Sequence, residues 1–320
     1  MFRKRIKKND YVENRVKPPK KRNLRFSVKF NKRFSKKLEL HSLTRLKNDF
    51  PQIRDAYIMF SKKEPYIITA SSSIVGNRKT QEDSFFVTPS DRVSPFKLSR
   101  SFAVVCDGMG GLEAGDRASM TAVSMMKLAV SKLPTKKVDI PHFFSEMLDY
   151  IDCEINGWKD LETDKGSGTT LVSVLIENRR LYWASVGDSS IFMFQDDTLK
   201  KLTNEHNYRM YLEKLVSNGK ITQREADEDP QQYALLSYVG MGGIAFRDIN
   251  SRPYAMRDGD MLILCTDGIT DALTKNELED IIRENFEDVY KCCDEITSAV
   301  RRKKIHSQDN ATVVIVHYVE

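Results

Sequence analysis

The sequence predicts an α+β domain built in layers, preceded by a basic N-terminal extension. Short runs rich in Val, Ile and Phe alternate with turn residues from Tyr66 onwards, as is typical of strands. Longer stretches between and after them place apolar residues at three- and four-residue steps, as is typical of helices. Because the strands are grouped and the helices come in pairs, the pattern favours an α+β domain over a strictly alternating α/β one.

The composition allows a sizeable core and excludes several classes of protein. The chain has 320 residues, of which 40% are hydrophobic and 30% charged. No window approaches the ~18 consecutive apolar residues of a membrane-spanning helix, and no apolar signal segment precedes the body. Five cysteines are an odd number and lack the spacing of a disulfide framework. We therefore expect a cytoplasmic protein.

The N-terminal extension differs sharply from the rest of the chain in charge. Residues 1–40 hold 16 Lys and Arg against three acids, a net charge of +13, so the remainder of a chain with net charge +6 carries −7. We predict that residues 1–62 are flexible. Phe26, Phe30 and Phe34 could form a basic amphipathic helix for a membrane or a partner, or pack on the rest of the chain. The basic arm 1–40 could contact an anionic surface, but we predict no dedicated nucleic-acid site.

The predicted elements follow one another from Tyr66 to the C-terminus. The longest helix is indicated by Ala118, Ala122 and Met125, which recur at three- and four-residue steps. The polar segment from Thr203 to Gly240 predicts an insertion with short helices rather than part of the core. We predict strands over 66–72, 84–88, 101–106, 169–177, 180–186, 190–195, 261–266 and 311–318. We predict helices over 113–133, 141–159, 275–284 and 287–302.

Acidic residues stand at the ends of four predicted strands. Asp107–Gly108 follows the strand in FAVVCDGMGG, and Asp267–Gly268 follows the strand in MLILCTDGIT. Glu82–Asp83 precedes the strand SFFV, and Asp309 precedes the last strand in SQDNATVVIV. A single Asp-Gly after a strand is more typical of a turn. The repetition of the pattern, however, predicts that these carboxylates converge on one cleft.

Clustered carboxylates repel one another, and a divalent cation would remove that cost. Ligand sets made only of oxygen select hard metals such as Mg²⁺ or Mn²⁺. The five histidines lack the spacing of a zinc site. Arg78 lies five residues before Asp83, and its guanidinium could bind a phosphoryl group, although a lone arginine is ordinarily a solvated surface residue. Together these residues indicate metal-assisted hydrolysis of a phosphate ester.

Seven sequence stretches occur in the order that one known family shows: GNRKTQEDSF, VVCDGMGG followed by EAGDRAS, GSGTTLVSVLI, YWASVGDSSIFMF, GKITQREADEDPQQ, RDGDMLILCTDGITDAL and SQDNATVVIV. On these stretches, the chain from about residue 66 to 320 resembles the metal-dependent (PPM) serine/threonine protein phosphatases of type 2C, in their bacterial form.

The resemblance implies a fold and an activity. The fold would be a four-layer αββα sandwich of two antiparallel sheets flanked by helix pairs, with a catalytic domain over 63–320 and a flap-like insertion at about 203–240. A binuclear Mn²⁺ or Mg²⁺ centre would lie between the sheets. The reaction would be hydrolysis of phosphoserine and phosphothreonine on proteins by a metal-bridged hydroxide, opposing a Ser/Thr kinase in a signalling pair.

The resemblance also assigns metal ligands. Asp107 would bridge both metal ions, and the carbonyl group of Gly108 would bind one of them. Asp267 and Asp309 would bind the other ion. Glu82–Asp83 would hold metal-bound waters, with direct contact as an alternative.

Further implied roles and departures concern five places in the chain. Arg78 would bind the substrate phosphate, and Asp164 is the nearest candidate ligand for a third, weaker metal ion. Met109 stands where some relatives have a histidine that protonates the leaving oxygen, and Met has no proton to donate. Gly187–Ser190 lacks the arginine usual there, which implies a lost structural contact. Ser237–Gly240 replaces the usual flap sequence, so substrate preference is expected to differ.

Two other classes of function remain open from the sequence alone. The chain could be a catalytically inactive relative that serves as a binding or regulatory module, but such proteins commonly lose their metal acids, and here those acids and Arg78 are present. The basic arm could instead carry the main function by docking on nucleic acid, membrane or a partner. Other phosphatase mechanisms lack their residues: no Cys-x₅-Arg loop occurs, and Ser167 has no credible histidine partner.

Overall fold

The computed structural model describes residues 65–89, 91–92, 100–110, 114–134, 138–158 and 166–320. The described strands are β1 Tyr66–Ile74, β2 Asp83–Val87, β3 Asp91–Arg92, β4 Arg100–Met109, β5 Gly168–Thr169, β6 Leu171–Glu177, β7 Arg180–Val186, β8 Ser190–Gln195, β9 Thr198–Lys201, β10 Asp248–Ile249, β11 Tyr254–Ala255, β12 Met261–Cys265 and β13 Ala311–Val319. The described helices are α1 Gly115–Lys132, α2 Ile140–Asn156, α3 Arg209–Ser217, α4 Gln223–Asp227, α5 Asp267–Thr270, α6 Lys275–Glu284 and α7 Val289–Lys303.

The strands form two antiparallel sheets. One sheet has the order β3-β1-β13-β12-β8-β9, and the other has the order β10-β7-β6-β4-β2, with β11 paired to β7 and β5 to β4. The longest pairing of the first sheet joins β1 and β13, from Tyr66 opposite Val319 to Ile74 opposite Ala311. First and last described strands therefore lie side by side in the middle of one sheet.

The two sheets pack face to face and a pair of helices covers each outer face. Alternate residues of a strand point to opposite faces, so Phe102 and Val104 of β4 pack with α1 and α2, whereas Ala103 and Val105 pack in the layer between the sheets. Helices α6 and α7 cover the other sheet. The described part of the chain is thus a four-layer α+β sandwich, as predicted.

Helix ends follow local sequence signals. Asp139 caps α2 by accepting from the backbone N–H of His142, with Pro141 in the first turn. Thr274 and Glu277 form a reciprocal capping box at the start of α6. Asp288 caps α7 by accepting from two backbone N–H groups. These caps fix where three of the four outer helices begin; the start of α1, at Gly115, has no side-chain cap within the described part of the chain.

The predicted strands and helices are confirmed, with ends shifted by a few residues. The sequence analysis missed the short strands β3, β9, β10 and β11, and it missed α5, because two to four residues are too few to show a period. The Thr203–Gly240 segment does contain the short helices α3 and α4. It is less separate from the core than predicted, since Leu212, Ala226 and Val239 are buried.

The predicted flexible extension, 1–62, lies outside the described residues, so the domain boundary stays a prediction. Among the helices of the described residues, none is both long and apolar enough to cross a membrane.

Candidate active site

Two of the predicted site acids lie opposite each other on neighbouring strands. Asp83 at the start of β2 pairs with Asp107 near the end of β4. Asp107 shares its strand face with Ala103 and Val105, which pack in the layer between the sheets. Both carboxylates therefore lie at one end of that layer. Directly opposed like charges destabilise a sheet, so this pair needs compensation.

Asp83 is held tightly but incompletely satisfied. Its side chain is buried, and its Oδ2 atom accepts hydrogen bonds from Thr266 Oγ1 at 3.0 Å and Thr312 Oγ1 at 2.7 Å. No described atom donates to its buried Oδ1 atom. The pKa of Asp83 is raised to about 7, chiefly by burial, while the two hydroxyl groups oppose the shift and the charges of Asp267 and Asp309 add to it.

Asp107 and Asp267 lie within hydrogen-bonding reach of each other. Burial, followed by the charges of Asp83 and Asp267, raises the pKa of Asp107 well above its ordinary range. Burial also raises the pKa of Asp267, although the contact with Asp107 opposes that shift. Oδ1 of Asp267 is buried, and no described atom donates to it. The two acids thus share a contact that needs a proton, and one oxygen of Asp267 has no partner among the described residues.

The backbone around Asp107 fixes its position through two threonines of the GTT segment. The Asp107 N–H group donates to Thr170 Oγ1 at 3.0 Å. The Asp107 carbonyl oxygen accepts from Thr169 Oγ1 at 2.8 Å and from the Thr170 N–H group at 2.9 Å. Both threonines are buried, so these three hydrogen bonds hold the backbone of β4 in place at Asp107.

Neither Asp-Gly pair of the sequence forms the simple turn that a single occurrence suggests. Gly108 lies within β4, where a Cβ atom would be 2.1 Å from the carbonyl oxygen of Gly115. Gly268 lies in α5, where a Cβ atom would be 1.9 Å from the carbonyl oxygen of Asn310. In both places the glycine allows another backbone segment to approach the acid closely.

Arg78 and Asp309 form an ion pair at the outer edge of the cluster. Both side chains are partly exposed, Arg78 at 57% and Asp309 at 38%. Asn310 holds the loop that carries Arg78: its Oδ1 atom accepts from the Glu82 N–H group at 2.7 Å, and its Nδ2 atom donates to the carbonyl oxygen of Thr80 at 3.0 Å. Burial raises the pKa of Glu82, while the charge of Arg78 lowers it.

Two further acids near the cluster were missed by the sequence analysis. Burial and then the charge of Asp267 raise the pKa of Asp188 to about 7. The same two causes, in the same order, raise the pKa of Asp271 to about 6. The Gly187–Asp188 pair after β7 repeats the pattern of a strand followed by an acid and a glycine in reversed order, and that signal could have found Asp188.

The end of the flap-like segment is tied to the strand beside Asp107. Val239 exchanges two backbone hydrogen bonds of 2.9 Å with Thr169. The buried carboxylate of Asp152 accepts backbone N–H groups from Gly240 at 2.7 Å and Gly243 at 2.7 Å, and from Gly242 at 3.3 Å. The loop after Tyr238 is therefore anchored on α2.

Other predicted positions have different outcomes. Asp164 lies outside the described residues. Met109 ends β4 and is partly buried. Ser190, which replaces the usual arginine, is buried at the start of β8.

The donor set fits hard divalent cations, although it is not arranged as a finished metal site. No three His, Cys, Asp or Glu side chains among the described residues already have the arrangement of metal ligands. Asp107 instead faces Asp267, and Asp309 faces Arg78. The cluster offers only oxygen ligands, two of its buried oxygens have no partner in the described part of the chain, and the pKa values of its acids are raised. These three observations indicate that the cluster lacks the positive charge that a divalent cation would supply.

Comparison with known proteins gives consistent similarities. Residues 69–214 match the family model of protein phosphatase 2C, and residues 217–319 match that of stage II sporulation protein E. A serine/threonine phosphatase stp of Listeria welshimeri is 31% identical over 224 residues, covering 69% of this chain and 85% of that protein. The protein phosphatase PhpP of Streptococcus pneumoniae is 28% identical over 223 residues, covering 69% of this chain and 87% of that protein.

Solved structures share the fold. The serine/threonine phosphatase of S. agalactiae superposes with a TM-score of 0.69 at 22% identity, covering 80% of this chain and 100% of that one. The catalytic domain of the serine/threonine protein phosphatase PstP, solved in complex with two manganese ions, gives a TM-score of 0.64 at 23% identity, covering 80% and 100% of the two chains.

Proposed function

Because the chain belongs to the protein phosphatase 2C family of serine/threonine phosphatases, we propose that it hydrolyses phosphoserine and phosphothreonine on proteins and depends on two Mn²⁺ or Mg²⁺ ions. The observation that carries this proposal is the convergence of Asp83, Asp107 and Asp267 at one end of the inter-sheet layer. Each has a raised pKa, and two of them present buried oxygens that no described atom satisfies. Such a cluster is suited to divalent cations.

The proposed ligands are the residues that the resemblance to the family implies. Asp107 and the Gly108 carbonyl group would bind at the β4 end, and Asp267 and Asp309 would bind at the β12 and β13 ends. Glu82–Asp83 would contact the ions through water. When bound, the two ions would activate a bridging water as the nucleophile and neutralise the phosphoryl oxygens. A third, weaker ion at Asp267 and Asp164 remains part of the proposal.

The remaining tasks belong to side chains of this chain. Arg78 lies at the edge of the acid cluster, where its guanidinium would bind two oxygens of a substrate phosphate. Its ion pair with Asp309 orients the guanidinium before substrate arrives. Thr266 and Thr312 hold one oxygen of Asp83 by hydrogen bonds, which leaves its other oxygen free to accept. Met109 has no proton to give, so the leaving oxygen would have no side-chain acid at that position.

An inactive binding module is not favoured as an alternative. The acids that such relatives commonly lose are present, and the matched relatives are named as phosphatases. A cognate Ser/Thr kinase, a signalling role, a cytoplasmic location and an anionic partner of the basic arm stay predictions.

Phosphate release from a phosphothreonine peptide tests the proposal. EDTA-treated protein is assayed before and after addition of Mn²⁺, for the unsubstituted chain and for Asp267→Ala. We expect release only with Mn²⁺ and almost none from Asp267→Ala, because that carboxylate is a proposed ligand. Asp294→Asn removes an exposed acid of α7 and serves as the matched control with full activity. Undiminished turnover by a folded Asp267→Ala protein would contradict the proposed metal centre.

A further inference from the structure

A cavity of about 720 Å³ lies directly beside the candidate active site. Two of its walls continue into the site, because Asn77 precedes Arg78 and Gln308 precedes Asp309. Neighbouring Cα atoms are about 3.8 Å apart, so the backbone of the cavity wall leads directly to Arg78 and Asp309. The cavity is lined by Ile74, Val75, Gly76, Asn77, Val300, Arg301, Lys304, Ile305, His306 and Gln308.

The wall shared with the active site is rigid. The Asn77 N–H group donates to the Gln308 carbonyl oxygen at 2.8 Å, and Asn77 Nδ2 donates to the carbonyl oxygens of Ile305 at 3.0 Å and His306 at 2.9 Å. Gly76 has a φ angle of +63°, and a Cβ atom there would be 2.3 Å from the Asp309 carbonyl oxygen. The cavity and the Arg78–Asp309 pair are therefore built on the same pair of loops.

The charge of the cavity is opposite to that of the acid cluster. Its lining contains Arg301 and Lys304 but no Asp or Glu. The basic residues between them are paired elsewhere, Arg302 with Glu295 at 2.6 Å and Lys303 with Glu277 at 2.5 Å. Among the described residues, none forms an ion pair or a side-chain hydrogen bond with Arg301 or Lys304.

A basic helix end has an ordinary explanation, since cations stabilise the C-terminus of a helix. That explanation covers all four residues of the Arg301–Lys304 run equally. It does not account for the division of the run, in which the two cations that face the cavity are left without a partner and the other two are neutralised. Nor does it account for a lining free of acids in a body whose remaining charge is negative.

We propose that this cavity is a second anion subsite, which binds a carboxylate or a second phosphate of the substrate chain close to the phosphorylated residue. The proposal rests on the proposed phosphatase function and adds a preference for acidic phosphopeptides. An extended peptide advances about 3.4 Å per residue, so the recognised group would lie roughly two to four residues from the phosphoserine or phosphothreonine. The exposed apolar side chain of Val75 would contact the aliphatic part of that residue.

The test compares two double variants on matched substrates. Arg301→Gln with Lys304→Gln removes both cations of the cavity, and Arg302→Gln with Lys303→Gln removes the same charge from the same helix turn outside it. The substrates are a phosphothreonine peptide flanked by alanines and versions with glutamates or phosphoserine two to four residues away on either side. p-Nitrophenyl phosphate, which has no flanking residues, reports the chemistry alone.

We expect the unsubstituted chain to show a kcat/KM about tenfold higher for at least one acidic peptide than for the neutral one, a ratio that two modest charge contacts can supply. The cavity variant should lose this preference, the control variant should keep it, and both should hydrolyse p-nitrophenyl phosphate normally. The glutamate and phosphoserine peptides distinguish the carboxylate from the phosphate. The preference should also weaken as salt is added.

Other results overturn the proposal. Turnover of the neutral peptide without preference for any acidic one, or equal losses in both double variants, would reject the subsite and leave the phosphatase function intact. Absence of turnover on every substrate would reject the function instead. In that event, peptide binding in EDTA, measured by the anisotropy of labelled peptides, still tests the subsite. If the cavity variant bound acidic peptides as tightly as the control variant does, the subsite would be rejected.

Discussion

Replacing Asp107 with asparagine should stabilise the metal-free chain while abolishing turnover. Asp107 faces Asp83 across two strands and lies within hydrogen-bonding reach of Asp267. The substitution removes one negative charge, and the introduced amide keeps a donor for Asp267. Activity should be lost because a proposed bridging ligand is gone, whereas the fold should gain because mutual repulsion within the cluster falls.

The size of the gain can be estimated from the sheet geometry. Side chains directly opposite in an antiparallel pair have Cβ atoms about 5 Å apart, and two unit charges at that distance interact with about 3 kcal/mol at an effective dielectric constant of about 20. Because burial and the neighbouring carboxylates raise the pKa of Asp107, its protonation relieves part of this repulsion. We therefore expect a gain of about 1–3 kcal/mol that grows as pH rises, and each kcal/mol corresponds to about 2–4 °C in Tm.

Thermal and urea unfolding in EDTA measure this gain, with Asp152→Asn as the matched control. Asp152 is also a buried aspartate, with 5% of its surface exposed, but its carboxylate accepts three backbone N–H groups. An amide nitrogen would oppose one of those donors, so the control should lose about 1–3 kcal/mol. With Mn²⁺ present, the unsubstituted chain should gain stability and Asp107→Asn should gain little.

The sign of the change decides the outcome. A destabilised, metal-free Asp107→Asn protein would mean that Asp107 is satisfied without a cation. The repulsion argument would then be refuted, together with the reason for expecting metal ions in this cleft. Destabilisation of both variants by equal amounts would carry the same meaning.

Three further predictions follow from the same cluster. Arg78→Ala should mainly raise KM for a phosphopeptide, because phosphate binding is lost in the ground and transition states alike; an unchanged KM in steady-state assays would contradict the proposed role. The folded pKa values of Asp83 and Asp188, about 7 against an ordinary value of 3.8, mean that the folded chain binds more protons than the unfolded chain between about pH 4 and 7. The free energy of unfolding in EDTA should therefore fall as pH rises through this range, and a rise in urea titrations would be inconsistent with the shifts. Gly268→Ala should lower the free energy of unfolding by about 2–4 kcal/mol, because the added Cβ atom would lie 1.9 Å from a backbone oxygen. The control Gly166→Ala should be nearly neutral, because a Cβ atom there would have no described atom within 4 Å. Equal stabilities of the two variants in urea would disprove the close approach.

The sequence predicted the layers and the acids of the site because both depend on local signals. Alternation along β4 places Val105 and Asp107 on one face, and the acids stand where strands begin or end. The reason for each Asp-Gly pair was not predictable, because it depends on distant backbone. Position 108 must be glycine because the carbonyl oxygen of Gly115 lies too close for a Cβ atom, and position 268 must be glycine because of the carbonyl oxygen of Asn310.

The flap anchor could not be predicted for the same reason. Asp152 lies within the helical period of α2, where a polar residue ordinarily faces solvent. Its partners, Gly240, Gly242 and Gly243, are about ninety residues further along the chain. A side chain whose partner is three backbone N–H groups of a loop leaves no pattern in the sequence.

The rate of phosphate release from a phosphothreonine peptide, followed while Mn²⁺ is titrated into EDTA-treated protein, tests the central claim most directly. We predict no release without metal and a rate that rises to a plateau as the acid cluster is filled. Release that is unaffected by EDTA, or a folded chain that binds no Mn²⁺ at millimolar concentration, would contradict the account.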